Sequence, residues 1–401
     1  MDDTPLQMVE DAEGLADLLE RVADEPVLGI DTESDSMHSY REKVCLIQIS
    51  DRRRDYIVDP LAGFDLAPLG TLMSDGDRVK IFHGADYDVV SLKRDFGWTI
   101  TNLFDTMIAA QLLDLPKVGL ADLCANAFGA DMDKKYQTHD WARRPLEPEH
   151  LFYARGDTHY LLALRELLKL KLERAGRMDV ALEEFQALES RVWGGATDDP
   201  AAFLRTKGSS RLDETGLRVL RALWTLRDDR ACELDRPAYK VFPNQVLVAI
   251  AAKRPGDLDG LAKLIRAKSS MFRRHGQSML DAVVVGLADE EPLPSAPKKV
   301  RVGTKPRYGS RETDRLLTVL KGWRQKRMRK GDLPLSMVGS NSQLKAIAGF
   351  RPVSLEELRQ VEELRNWQIE RYGEEIMGIV REFEGSLSEN GGGSGRRRRR
   401  R

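Results

Sequence analysis

The chain has 401 residues, 41 % hydrophobic and 32 % charged, with a formal net charge of −1. That length implies two or three domains, and the apolar share is enough for real cores. The longest apolar runs, 246–252 and 282–288, fall far short of the roughly 20 residues that cross a bilayer, and the three cysteines are too scattered for a disulfide framework or a zinc ribbon.

Residues 1–10 carry acids and a proline but neither a basic nor an apolar leader region, so the expected location is the cytoplasm. Short β-branched runs then predict strands at 27–31, 44–49, 55–58 and 79–82, each bounded by charge, proline or a turn. Helical periodicity marks 15–22, 89–95, 106–113 and 120–128, and a long helix from 147 to 175 with Pro148 near its start. Strands first and helices interleaved later imply a mixed α/β sheet flanked by helices.

From about residue 211 the strand signals fade. Leu217, Leu220, Leu223, Trp224 and Leu226 recur at helical spacing, opening a small all-α domain that ends near residue 287. A Pro-rich charged stretch, 290–299, reads as a linker, and a second all-α segment occupies 311–383. The two segments resemble each other. Leu223-Trp-Thr-Leu-Arg227 matches Leu320-Lys-Gly-Trp-Arg324, and Lys253-Arg-Pro-Gly-Asp-Leu258 matches Phe350-Arg-Pro-Val-Ser-Leu355, which reads as tandem copies of one module. The expected division is therefore 1–190, 208–289, a linker at 290–310, 311–385, and a disordered Gly/Arg tail at 386–401.

Charge is unevenly spread. Removing the six terminal arginines, 396–401, takes the net charge from −1 to −7. The stretch 298–330 is basic, with only Glu312 and Asp314 as acids, and it includes Trp323 and Arg324. Basic side chains with interspersed aromatics fit phosphate binding and base stacking, although a charge run is more commonly a solvated face. The terminal arginines fit nonspecific RNA binding or an added tail equally well.

Carboxylates are the residues that carry chemistry. Asp31 and Glu33 lie two apart at a strand end and so project from one face. Tyr153 and Asp157 lie four apart on a helix and share a face. Converging carboxylates repel unless a cation neutralises them, and an all-oxygen ligand set suits a hard ion such as Mg²⁺ or Mn²⁺. Either pair alone is more often an ordinary surface or packing pair. Their order and flanks decide the matter.

Ile30-Asp-Thr-Glu33, Phe82-His-Gly-Ala-Asp-Tyr-Asp88, Phe104-Asp-Thr106 and Tyr153-Ala-Arg-Gly-Asp-Thr-His-Tyr-Leu-Leu162 together resemble the ribonuclease D family and its exosome-associated relatives, within the DEDD exonucleases. The resemblance covers roughly residues 15–175. It implies a ribonuclease H-like α/β exonuclease domain, and the two helical segments look like HRDC domains, giving an α/β domain followed by two small all-α domains. The implied activity is 3′–5′ exoribonucleolytic release of 5′-nucleoside monophosphates, for example in the maturation of tRNA or other structured RNAs. Tyr at 153 indicates the tyrosine subtype.

By the same resemblance Asp31, Glu33 and Asp157 hold one divalent cation, and Asp31 bridges to a second that Asp88 supports. The second motif holds two acids, and the family pattern selects Asp88 over Asp86. Tyr153, with an ordinary phenol pKa near 10, is a poor base at neutral pH and is assigned to orienting water and phosphate. Met37, His83, Trp141, Arg144, Trp323 and Arg324 are candidate RNA contacts. His83 reads as well as a turn support, Trp141 and Arg144 as a packing pair, and His159 as a surface residue. No Gly-x-x-x-x-Gly-Lys-Ser/Thr loop is present, which excludes a helicase and gives no reason to expect a nucleotide cofactor. A DNA exonuclease of the RecQ-associated type and a non-catalytic RNA-binding protein remain the alternatives.

Overall fold

The structure is a computed structural model and describes residues 4–193, 199–265, 269–294, 311–329 and 333–391. The catalytic-domain elements in chain order are β1 (Leu6–Val9), α1 (Ala12–Arg21), β2 (Val27–Ser34), β3 (Val44–Ser50), β4 (Asp55–Val58), α2 (Ala67–Ser74), β5 (Val79–Phe82), α3 (Asp86–Phe96), β6 (Leu103–Asp105), α4 (Thr106–Leu112), α5 (Leu120–Phe128), α6 (Pro148–His159), α7 (Leu161–Arg174) and α8 (Met178–Glu189).

One six-stranded mixed sheet runs in the order β1-β4-β3-β2-β5-β6. β2 sits inside it, antiparallel to β3 and parallel to β5. β3 is buried along its whole length, as a strand covered on both faces must be. Its Ile47 and Ile49 join the main core, whereas Cys45 and Leu46 pack with Ile57, Trp141 and Ala154 in a second cluster. The strands expected at 44–49, 55–58 and 79–82 are present, and the one begun at Val27 continues through Glu33.

The helix expected from 147 to 175 is two helices. α6 ends at His159 and α7 begins at Leu161, with Tyr160 the boundary of both. Leu-rich periodicity resumes directly after the break, so the sequence pattern runs through it. β1, β6, α2 and α8 had no clear signal. β1 and β6 have four and three residues, too few to show alternation.

The first helical domain comprises α9 (Glu214–Glu233), α10 (Ala238–Val241), α11 (Asn244–Lys253), α12 (Leu258–Leu264) and α13 (Ser270–Ala288). The second comprises α14 (Arg311–Arg329), α15 (Leu335–Val338), α16 (Asn341–Phe350), α17 (Leu355–Arg359) and α18 (Asn366–Gly391). Equivalent residues keep one offset of 97, the step from Arg227 to Arg324, from Asn244 to Asn341 and from Arg254 to Arg351. In each copy the buried arginine reaches the asparagine side chain, Arg227 to Asn244 at 2.5 Å and Arg324 to Asn341 at 3.0 Å. Arg254 (φ 50°) and Arg351 (φ 55°) both end a helix in the left-handed region, each just before a proline.

Of the linker expected at 290–310, residues 295–310 lie outside the described residues. So do the tail from 392 on and the basic residues at 298–310 and 330.

Candidate active site

β2 delivers Asp31 and Glu33 to one face of the sheet, and α6 crosses β2, β3 and β4 to bring Asp157 to them. One oxygen from each of these three carboxylates lies within 4.8 Å of the others. Asp88, in the first turn of α3, is 7 % exposed and stands beside this triplet, accepting a hydrogen bond from the Thr32 hydroxyl. Asp86 is on the outside of the same turn, half exposed and ion-paired with Arg191. The geometry thus separates two acids that the sequence leaves adjacent.

Burial and mutual repulsion act on the cluster together. Asp31 is held well above the usual carboxylate range by burial and by Asp88, Asp157 and Glu33, and Glu33 is raised by burial, Asp157 and Asp88. Burial and Asp88 push Asp157 up to about 7. Asp88 is raised to about 6, chiefly by burial. Among the described residues no Lys or Arg is paired with any of the four. Like charges crowded this way need a counter-ion, and three or four carboxylates with no soft donor fit a hard divalent cation. Tyr153 lies one turn before Asp157, and burial with the nearby Asp157, Glu33 and Asp31 raises its phenol above the ordinary value. It stays protonated and can donate.

The turn ahead of α3 is fixed from β6 and α4. The Asp105 carboxylate is fully buried, caps α4 through Met107 (2.8 Å) and Ile108 (2.9 Å), and accepts the Ala85 N–H at 2.7 Å. Gly84 has φ 77°, in the left-handed region where a side chain is strained and glycine is not. His83 Nδ1 meets the Thr106 hydroxyl at 2.9 Å, and burial pushes its pKa down to about 4, leaving it neutral. Its place is therefore that of a turn support.

α6 is locked from behind. Asp55 on β4 accepts from Arg155 Nε (2.9 Å), Ser50 Oγ (2.7 Å) and His159 Nδ1 (3.0 Å). His159, expected at the surface, is instead part of this network, its ring held by the buried Asp55 carboxylate. Sequence reasoning missed Asp55 and Ser50, which carry no local motif, and Thr32, which stood inside the first motif without a role. Asp105 and Thr106 stood inside a quoted motif without a role.

Four of the candidate RNA contacts are instead buried or bonded within the protein. Trp141 is 1 % exposed, stacked on Tyr153 at 5.8 Å between ring centroids. The Arg144 guanidinium is committed to Asp59, with Nε and a terminal nitrogen each at 2.6 Å, and to the Trp141 carbonyl at 2.8 Å. Trp323 and Arg324 are buried in the second helical domain, where Trp323 Nε1 donates to Glu375 at 2.7 Å and Arg324 to the Gly339 carbonyl at 2.6 Å. Met37 alone is 41 % exposed, at the tip of the loop after β2.

A family model described as 3′-5′ exonuclease matches residues 6–173, and one described as HRDC domain matches 216–283 and 313–380. A ribonuclease D of Gluconacetobacter diazotrophicus is 31 % identical over 386 residues, covering 93 % of this chain and 92 % of its own. The crystal structure of the catalytic core of RRP6 from Trypanosoma brucei aligns with a TM-score of 0.61 and 32 % identity, covering 72 % of this chain and 81 % of that one. Escherichia coli RNase D aligns over 94 % of this chain and 99 % of its own with a TM-score of 0.73, and at 24 % identity it speaks for the fold.

Proposed function

The chain belongs to the ribonuclease D family of 3′–5′ exonucleases, and from that membership we propose that it trims tRNA precursors or other structured RNAs in the cytoplasm, using two divalent cations, Mg²⁺ or Mn²⁺. It is an exoribonuclease dependent on divalent metal, and its product is a 5′-nucleoside monophosphate.

The observation that carries the mechanism is the triplet of oxygens from Asp31, Glu33 and Asp157 within 4.8 Å, with no Lys or Arg paired to it among the described residues. These three would hold one cation, and Asp31 with Asp88 would hold the other. Bound cations supply a water nucleophile at neutral pH and offset the charge on the departing 3′ oxygen. The protein's part is positional. β2 fixes two ligands in one register, and α6, pinned by Asp55, fixes the third. Thr32 orients Asp88. The Tyr153 hydroxyl, kept protonated, is placed to donate to the water or the scissile phosphate and has no capacity as a base.

The test uses 5′-labelled and 3′-labelled RNA and DNA with Mg²⁺, Mn²⁺ or EDTA, comparing the wild type with Asp31→Ala. Stepwise shortening of RNA from the 3′ end, lost with EDTA and in the variant, is expected. Activity that survives both sinks the metal mechanism, and preference for single-stranded DNA overturns the substrate.

A further inference from the structure

The loop after β2 touches three parts of the molecule. At its base Asp35 is fully buried, and its carboxylate accepts from the Lys43 N–H (2.8 Å), the Ser39 hydroxyl (2.7 Å) and the Lys43 ammonium (2.6 Å). Its carbonyl accepts the N–H groups of His38 (2.7 Å) and Ser39 (3.0 Å). The loop is thus a closed unit riding on β2, two residues beyond Glu33.

At the tip, Tyr40 reaches the first helical domain. Its hydroxyl donates to Asp228 on α9 at 2.8 Å, its N–H donates to Asp235 at 3.0 Å, and Lys240 donates to the Met37 carbonyl. Burial and the Asp228 carboxylate raise the Tyr40 phenol to about 12, so it is a donor throughout the working range. On its other side the loop meets segment 131–141, with His38 Nε2 at 3.0 Å from the Thr138 carbonyl and Nδ1 4.0 Å from Asp140. Tyr136 of that segment meets the Tyr153 ring edge-on at 5.9 Å. Asp131, Met132 and Tyr136 form one wall of a cavity of about 430 Å³ that opens beside Tyr153 and Asp157.

A chain of contacts therefore runs from α9 through Tyr40 and His38 to the wall facing Tyr153. We propose that Tyr40 is a positioning residue: by tying the loop to the first helical domain it sets the wall of the cavity that receives the 3′-terminal nucleotide of RNA. The inference rests on the exoribonuclease reading, which gives the cavity its occupant. Docking here is polar, and the first helical domain keeps a core separate from the catalytic one. Loss of one or two hydrogen bonds is enough to shift such a contact between seated and unseated states. The seated state holds the wall for the 3′ end.

The experiment takes Tyr40→Phe, Asp228→Asn and the double variant in the full chain, with a single-stranded RNA of about four nucleotides as substrate. Each single variant is expected to raise KM about fivefold with kcat held within about twofold, and the pair to be no worse than either alone. Amide hydrogen exchange across 131–141 should rise in all three without substrate. Unchanged KM together with unchanged exchange overturns the proposal, as do effects that multiply in the pair. A wild type inactive on every RNA would remove the exoribonuclease reading instead, and the exchange measurement would still decide whether the coupling exists.

Discussion

The two helical domains share a core pattern at a fixed offset, yet they are joined to the nuclease in different ways. The first packs Leu220, Leu223, Leu247 and Ile250 into a cluster of its own and meets the catalytic domain through the polar tip of one loop. The core of the second is continuous with that of the catalytic domain. There the Glu183 carboxylate on α8 caps α18 from outside, accepting the N–H groups of Asn366 (2.5 Å) and Trp367 (2.9 Å). Glu184 accepts Trp367 Nε1 at 3.0 Å and Arg365 Nε at 3.3 Å. The module is the same, but the docking face differs. How each copy is joined is therefore set by a few surface residues at its contact and not by its fold. One copy shares its core with the catalytic domain, and the other keeps its own and makes polar contacts with the loop after β2.

The comparison is anchored by the cluster itself. Asp31→Ala should lower kcat by more than about 1000-fold, a barrier increase above about 4 kcal/mol, with circular dichroism unchanged. A smaller loss would mean that rates measured in domain variants do not report on this site. Next in size, Trp367→Ala should destabilise the protein by about 3–5 kcal/mol in denaturant unfolding while leaving kcat near wild type. A variant that keeps its stability would show that the second domain is no more integral than the first.

Metal-free protein should become less stable as pH rises from about 4 to about 7. Asp31, Glu33 and Asp157 have folded-state pKa values above those of the unfolded chain, so the folded protein binds more protons in that window and loses this contribution as they leave. Thermal melts across that range should show the fall, and saturating Mn²⁺ should abolish it near neutrality. The smallest effect belongs to Glu183→Ala, about 1 kcal/mol from the lost cap of α18, read by thermal melting. A larger activity effect there than in Tyr40→Phe would invert the comparison.

Each pair in the cluster was legible because its spacing is local, and the resemblance supplied their convergence with Asp88. Two residues along a strand and four along a helix are periodicities that the backbone imposes, and they placed Asp31 with Glu33 and Tyr153 with Asp157. Spacing alone did not separate Asp88 from Asp86, since both sit in the first turn of α3; the family resemblance chose Asp88, and the turn places it inward with Asp86 outside. The break at Tyr160 was hidden by Leu161, Leu162 and Leu164, which continue the apolar pattern beyond it. Trp323 and Arg324 were misread for a different reason. A tryptophan beside an arginine in a basic run looks like a nucleic-acid contact, and only the tertiary fold shows both turned inward. Docking was invisible, because Glu183 and Tyr40 lie 184 and 188 residues from their partners Trp367 and Asp228, with no local pattern to announce it.

The contact between Glu184 and Trp367 spans 183 residues, and this has a consequence during synthesis. At about 5–20 residues per second, α8 leaves the ribosome about 10–40 s before its covering partner is made. The sheet, all four carboxylates and the loop of Tyr40 are complete by then, so the nascent nuclease holds its ligands in place while one apolar flank is still bare. For that interval the nascent chain exposes the surface that the finished molecule hides.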